Sequence, residues 1–395
     1  MNTSTQSFLL LVLLIMFPQI AETIYSPALT DIASAFAVSQ SQAGQTLSIY
    51  FVTFAIGVVC WGVVADVKGR RPALLAGLSL YVLAAVSALF CQDFELLLLL
   101  RAVSAFGAAS CSIVVQTMLR DRFEGDALSR AFAVIGIGIS ISPALGMLLG
   151  GLTVDRAGYM GMFAVLGLLA LLLLGMSWRK LGETRKSEHC QAADCDVRGV
   201  MSLAMCMLSD RHIWRSALLV AGFNLLLFAY FQLAPFLFQK LGMNAGSYGS
   251  TGLVLALATL AGSVLNQKLL KAGYQAKQLV YLGVCCAAFG APGVLLSQHS
   301  LWFLVMQALI CIGFALTVPN VLCEALIQYR QWAGTAGALL GLFYYSLLGL
   351  GLQLSGQCGD LGVVLTVTTA LMLGVLLMGK ASRLCSRLCS RKTIG

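Results

Sequence analysis

The sequence predicts an all-α membrane protein: twelve spanning helices in two bundles of six, separated by a polar linker. Three observations carry this reading. Of 395 residues, 59% are hydrophobic and only 10% charged, with a mean hydropathy of +0.89, whereas a soluble domain carries about 25% charged residues. Apolar runs close to the roughly 20 residues needed to cross a bilayer recur along the whole chain. Once those runs are counted, the basic residues fall almost entirely on one side of the membrane. The same composition excludes a disordered chain, a collagen and a small disulfide scaffold. Forty glycines against seven prolines suit helices that pack closely in lipid.

The runs fall near 8–28, 42–65, 73–91, 96–119, 131–152 and 160–178, and then near 214–238, 247–270, 278–296, 301–323, 334–356 and 361–379. The run from Phe8 has no basic region before it and no small-residue cleavage site after it, so it reads as span 1 and not as a cleaved signal. The chain divides into an N-terminal six-helix bundle (1–178), a linker (179–212), a C-terminal six-helix bundle (213–380) and a basic tail (381–395). With both termini placed on one side, that side holds every Lys and Arg except Arg101, Arg156 and Lys240. Cytoplasmic loops collect these residues, so both termini are expected in the cytoplasm of a bacterial inner (plasma) membrane.

The net charge of +9 is therefore topogenic, and no nucleic acid is expected as a partner. Most of the 13 cysteines lie within apolar runs, where Cys acts as a small hydrophobe. His189, Cys190 and Cys195 cluster in the linker without a second ligand pair, which favours a solvated loop over zinc. No metal and no cofactor is expected. The tail repeat around Cys385 and Cys389 is basic and suits contact with lipid headgroups; acylation there is a weaker alternative. No Walker loop or nucleophile–base arrangement is present, which argues against ATP-driven transport and against an enzyme.

The loop after span 2 reads Gly62-Val-Val-Ala-Asp66-Val-Lys-Gly69-Arg70-Arg71-Pro72. It resembles the signature loop of the major facilitator superfamily, departing at Val64 and Val67. Span 4 carries Arg101-x-x-Ser104-Ala105-x-Gly107, similar to that family's helix-4 arginine motif. Span 5 carries Gly138-Ile-Ser-Ile-Ser142-Pro143-Ala-Leu-Gly146, similar to the Gly-Pro motif of exporting members. Thr23-Ile-Tyr25-Ser-Pro27 in span 1, Arg120-Asp121-Arg122 after span 4 and Ala333–Gly341 in span 11 resemble the bicyclomycin-resistance-type branch of twelve-helix drug:proton antiporters. The resemblance implies the major facilitator fold. It also implies that Gly62, Asp66, Gly69, Arg70, Arg71 and Asp121 form a latch stabilising the outward-facing state. Gly138, Pro143 and Gly146 would then form a kink that packs the two halves together.

Glu22 is the one carboxylate deep in an apolar run. It lies fourteen residues past Phe8, about 21 Å along a helix, or about 9 Å below the far face of a roughly 30 Å slab. Arg101, entering from that face near Leu96, is about 7 Å below it. Desolvation and a nearby cation act in opposite directions on a carboxyl's proton affinity. Glu22 is thus the candidate proton carrier and Arg101 its tuner, if their separation changes between conformations. The alternatives are a static ion pair joining two helices, or a Glu that touches a cationic substrate directly. Tyr25, Ser112, Gln116, Asn224, Tyr230 and Gln232 are the candidate substrate-cavity residues. Gln307, Tyr344 and Tyr345 are weaker ones, and Glu324 falls at the membrane surface, near Arg330. The expected function is proton-driven export of small amphipathic compounds (multidrug/H+ antiport) by alternating access, in a monomer whose partners are its small-molecule substrate, protons and the lipid bilayer. The alternatives are a dedicated metabolite or siderophore transporter and, from another class, a transport-inactive sensor or scaffold.

Overall fold

A computed structural model of the chain describes residues 3–185 and 197–392. The cluster of His189, Cys190 and Cys195 lies outside the described residues. Span 1 is built in three pieces: α1 (Thr3–Thr23), a 3-10 turn at Ser26–Ala28, and α2 (Leu29–Ala35). Pro27 in the turn has no backbone N–H to continue the α1 ladder, so the helix breaks there. α3 (Gln40–Lys68) begins at a reciprocal cap between Ser39 and Gln42. α4 (Arg70–Ala88), α5 (Phe94–Arg122) and α6 (Gly125–Lys180) complete the first half. The second half follows as α8 (Arg211–Lys240), α9 (Ala245–Lys271), α10 (Ala276–Ser297), α11 (Phe303–Ala325), α12 (Ala333–Cys358) and α13 (Leu361–Lys392).

Among the described residues ten helices are long and apolar enough to cross a membrane. One of them, 130–180, is two spans. At Gly158 the backbone turns to φ +61°, a conformation that costs glycine little. Phe132 lies 5.8 Å from the Arg120 guanidinium and Trp178 lies 5.8 Å from that of Arg71, while Tyr159 meets Phe36 at the opposite end, at 5.7 Å. The chain therefore reverses at Gly158. With the shorter Leu361–Leu377 segment of α13, twelve crossings result, and the protein is a multi-pass, all-α membrane protein. The face that holds residues 66–71 and 120–122 is called the basic face below, and its opposite the far face.

The two halves repeat one packing scheme at an offset of 205 or 206 residues. A Cβ on Gly57 would stand 2.8 Å from Ala109 Cβ and 2.9 Å from Phe106 O; one on Gly262 would stand 2.9 Å from both Ala315 Cβ and Ile312 O. A Cβ on Gly107 would stand 2.6 Å from Gly77 O, and one on Gly313 2.5 Å from Gly283 O. Small residues thus let α5 touch α3 and α4, and α11 touch α9 and α10, backbone to backbone. Between the halves, α3 packs on α12 and α6 on α9.

The polar linker also holds a helix that the sequence reading did not expect, α7 (Val197–Ser209). Met207 is fully buried there with Ile213, Ala217, Ala325, Ala336 and Leu340, and Leu203 and Ala204 pack against them. The apolar residues recur at three- and four-residue steps, and the end of the second half supplies the surface that orders them. Just ahead of it, the linker's first residues close the α3–α4 turn. Gly69, at φ +104°, lets the Glu183 carboxylate reach the backbone N–H of Arg70 (3.0 Å) and Arg71 (3.1 Å), the open start of α4. A side chain on Gly69 would stand 2.7 Å from Glu183 Oε2.

Partial burial pushes the Glu183 carboxyl up. Backbone N–H donors from Arg185, Arg70, Arg71 and Thr184 outweigh that and hold it below the ordinary glutamate value of 4.5. A group with a lowered folded-state pKa stabilises fully above its unfolded value and loses that contribution as pH falls through the folded one. Glu183→Ala is therefore expected to cost about 0.5 kcal/mol at pH 7, the low end for a helix cap because the side chain is exposed. The difference from the parent closes as pH drops below 4.5. Thermal melting of the detergent-solubilised protein across pH 3–7 measures this; a gap independent of pH contradicts it.

Candidate functional site

A cavity of about 510 Å³ lies between the halves. Its lining comes in pairs related by the same offset: Ile15 and Val220, Gln19 and Asn224, Glu22 and Leu227, Phe54 and Thr259, Gln116 and Leu322, Ser140 and Tyr345. Ser112 lines it as well, opposite Val318, as does Tyr344. Among the described residues Glu22 is the single carboxylate of this wall, half-buried on the last turn of α1.

Arg101 is 3% exposed and sits one residue from Glu22 in depth, its Nη2 donating to the Ala21 carbonyl at 3.3 Å. Its guanidinium lies 4.2 Å from the Tyr25 ring centroid and 4.3 Å from that of Tyr50. Among the described residues no carboxylate pairs with it within 4 Å, and its Nε has no partner. A guanidinium at mid-helix costs about 3 kcal/mol to insert, while each desolvated cation–π contact returns about 2 kcal/mol. Two rings and a carbonyl are enough to hold the charge, so Arg101 does not need Glu22. The static ion pair is absent from this conformation.

Three of the expected cavity residues stand elsewhere. Tyr25 is fully buried as one wall of the arginine cage. The Tyr230 hydroxyl lies 2.6 Å from Thr251 Oγ1, and α8 and α9 bury it. Gln232 Nε2 donates to Gly44 O (3.0 Å) and Leu352 O (3.1 Å), joining three helices across the two halves. The Tyr230 hydroxyl and the Gln232 amide nitrogen bond neighbouring helices, and none of the three residues lines the cavity. Gln307, the counterpart of Arg101, is likewise buried and donates to Leu226 O at 3.3 Å. Glu324 pairs with Lys277 at 3.2 Å, and the Arg330 side chain lies outside the described residues.

Gln232 belongs to a seal on the far-face side of the cavity. Ser26 Oγ donates to Phe231 O and lies 2.6 Å from the Tyr248 hydroxyl, again from one half to the other. Below it, Phe51 packs on Phe228 at 4.5 Å and Phe54 on Tyr345 at 5.5 Å. On the other side of these rings the lining continues to Gln116, about two turns from the basic-face end of α5.

The signature-loop charges at the basic face form one cluster. Arg70 pairs with Asp66 (3.1 Å) and Asp121 (3.0 Å), Thr184 Oγ1 donates to Asp121 (3.2 Å), and Arg71 donates to Trp178 O (2.7 Å). Gly62 stands apart, 3.9 Å from Ile113 where its Cβ would be. Every member belongs to the first half or to residues 181–185, and the cluster is complete while the far face is sealed. Glu183 and Thr184 were not singled out from sequence, because nothing in a polar linker signals that its first turn caps another helix.

The span-5 motif also acts differently from its expectation. Pro143 lines the cavity. Gly138 and Gly146, however, press α6 onto α1 within the first half: a Cβ on Gly138 would stand 3.0 Å from Met16 Sδ, and one on Gly146 2.9 Å from Ile20 O. Contact with the second half falls to the adjacent face of α6, where a Cβ on Gly249 would stand 2.6 Å from Met147 O. Among the described residues no group of three or more His, Cys, Asp or Glu could hold a metal.

A family model described as Major Facilitator Superfamily matches residues 11–352. An uncharacterized transporter of Rickettsia felis is 29% identical over 357 residues, covering 87% of each chain. Multidrug resistance protein D of Escherichia coli is 27% identical over 95% of this chain and 94% of its own. A chloramphenicol resistance protein of Pseudomonas aeruginosa is 28% identical over 85% of this chain and 78% of its own. The fold is shared with a D-xylose–proton symporter (TM-score 0.74, 15% identity, 94% of this chain and 97% of that one). It is also shared with the nucleoside transporter NupG (TM-score 0.75, 12% identity, 96% and 99%). With twelve crossings around one central cavity and a model match over most of its length, the chain belongs to the major facilitator superfamily and is a transporter, not an enzyme.

Proposed function

We propose that this protein exports small amphipathic compounds in exchange for protons, by rocking two six-helix lobes (1–178 and 213–380) joined by the linker 179–212, with 381–395 as a basic tail. The positive-inside rule puts the basic face and both termini in the cytoplasm of a bacterial inner membrane. The far-face seal is then periplasmic, and the cavity lies on its cytoplasmic side. The observation that carries the reading is the lone cavity carboxylate, Glu22, beside a guanidinium that aromatic rings already hold. Phe51, Phe54, Phe228 and Phe314, together with Tyr344 and Tyr345, offer an apolar body broad, loose contact. Relatives named for multidrug and chloramphenicol resistance support export.

Glu22 and Arg101 stand on α1 and α5 of the same half, so rigid rocking leaves their separation unchanged. What changes around Glu22 is the opposite wall. Leu227, Phe228, Tyr344 and Tyr345 close over it in one state and withdraw in the other. Water reaches the carboxyl from alternate sides, with Arg101 a constant positive charge beside it. The Leu227 and Gln307 counterparts carry no charge, so one proton is exchanged per cycle.

Three outcomes follow. Glu22→Gln should reduce substrate-evoked proton release from the purified protein at least tenfold while neutral substrates still bind; release at the parent level removes the proposal. Arg101→Gln, which installs the residue found at position 307, should fold and melt close to the parent yet lose about tenfold in gradient-driven transport. In proteoliposomes, export of a neutral substrate should respond to membrane potential as well as to a pH gradient, since one uncompensated charge moves per turnover. A voltage-independent rate rejects the single-proton count. A single saturable substrate in the same assay, in place of several unrelated ones, would identify a dedicated carrier.

A further inference from the structure

Asp155 lies where α6 approaches the far face. Its Oδ2 accepts from the backbone N–H of Gly246 (3.0 Å) and from Asn244 Nδ2 (3.0 Å), so it sits on the first turn of α9, in the other half. A carboxylate there meets the positive end of the helix dipole and open backbone donors. Directly below it the two helices touch through glycine. A Cβ on Gly151 would stand 2.7 Å from Ala245 O and 3.0 Å from Gly249 Cα, and one on Gly249 2.9 Å from Gly151 Cα. Backbones this close must part for the far face to open, so the carboxylate spans the line along which they would separate.

The repeat shows that this contact has no twin. The counterpart of Asp155 is Asp360, and that of Asn244 is Ser39. Asp360 accepts instead from Gln298 Nε2 (3.1 Å) and from Val363 N of its own helix (2.9 Å). Ser39 is occupied by its cap with Gln42. An opening of about 220 Å³, lined in part by Gln40, Lys240 and Asp360, stands where the second contact would be. We infer that Asp155 on the start of α9 is the single electrostatic lock of the far-face gate, a positioning residue that sets how often the cavity opens to that side.

The inference rests on the alternating-access reading, but its test needs neither substrate nor a proton gradient. Hydrogen–deuterium exchange is followed on the full-length protein in lipid nanodiscs for the parent, Asp155→Asn, Asp155→Ala and Gly249→Ala. Asparagine keeps the shape and an acceptor but removes the charge; alanine at 249 wedges the helices apart without touching the carboxylate. In all three variants amide exchange should rise about fivefold at 231–250 and at 24–35, the factor expected for roughly 1 kcal/mol at an exposed site. Exchange at the basic-face ends of α5 and α11 should slow in step, because one face closes as the other opens. Faster exchange confined to 244–248 would make Asp155 a local helix cap and overturn the lock, as would no change in the two Asp155 variants. If the exchange pattern appears in a protein that moves no substrate, the transport reading fails and the lock stands.

Discussion

The arrangement depends on a positive charge kept at membrane depth with, among the described residues, no carboxylate paired to it within 4 Å. Arg101 is buried, bonded to one carbonyl and enclosed by the faces of Tyr25 and Tyr50. Had Glu22 been paired with it, the carboxylate would be held at the guanidinium and not at the cavity wall. The aromatic cage releases it from that duty. Glu22 can face the cavity because its neighbour is already satisfied, and the charge of that neighbour acts on it through space. The cage comes from Tyr25, just past α1, and from Tyr50 on α3, and the arginine from α5, which small residues hold close to α3.

That fit is a property of backbone, not of side-chain chemistry, and it recurs in both halves. Gly57 with Ala109 and Gly262 with Ala315 are the same contact built twice, as are Gly77 with Gly107 and Gly283 with Gly313. A lipid environment offers helices no hydrophobic incentive to associate, so close approach and complementary shape do that work. The result is two closely packed halves that meet along α3 with α12 and α6 with α9. Charges at the basic face bind elements of the first half and the linker's start to each other, whereas the polar contacts made by Ser26 and Gln232 run from half to half. One set lies within the first half and the linker's start, and the other joins the two halves.

Much of this was legible in the sequence, for identifiable reasons. Hydropathy gives the spans because the bilayer imposes length and apolarity on each one separately. Glu22 and Arg101 stand out because ionisable residues at membrane depth are rare. Ser112, Gln116 and Asn224 do line the cavity. Tyr25, Tyr230 and Gln232 show where such reading stops: a polar side chain in a span faces a neighbouring helix as readily as a pore, and only the packing says which. The linker helix α7 and the Glu183 cap were missed because both are ordered by partners far away in sequence. The resemblance implies that the span-5 glycines pack the two halves together, whereas Gly138 and Gly146 meet α1 within the first half. The face was legible, but the identity of the helix opposite it was not.

What the repeat does not preserve is as informative as what it does. Much of the cavity wall matches across the halves, yet the first half places Gln19, Glu22, Ser112 and Gln116 where the second places Asn224, Leu227, Val318 and Leu322. Arg101 faces Gln307, and the two make the same kind of bond to the same carbonyl position of the preceding repeat helix, Ala21 O and Leu226 O. Glutamine can therefore replace the hydrogen bond but not the charge, which means the geometry of the site does not require an arginine. Its retention in one half only is a matter of electrostatics. A symmetric pair of charged sites would set two carboxylates and two guanidiniums around about 510 Å³, and their mutual interactions would couple the titration of each to the other. With the charge confined to one half, the opposite wall supplies shape, apolar surface and uncharged polar groups such as Asn224 and Thr259.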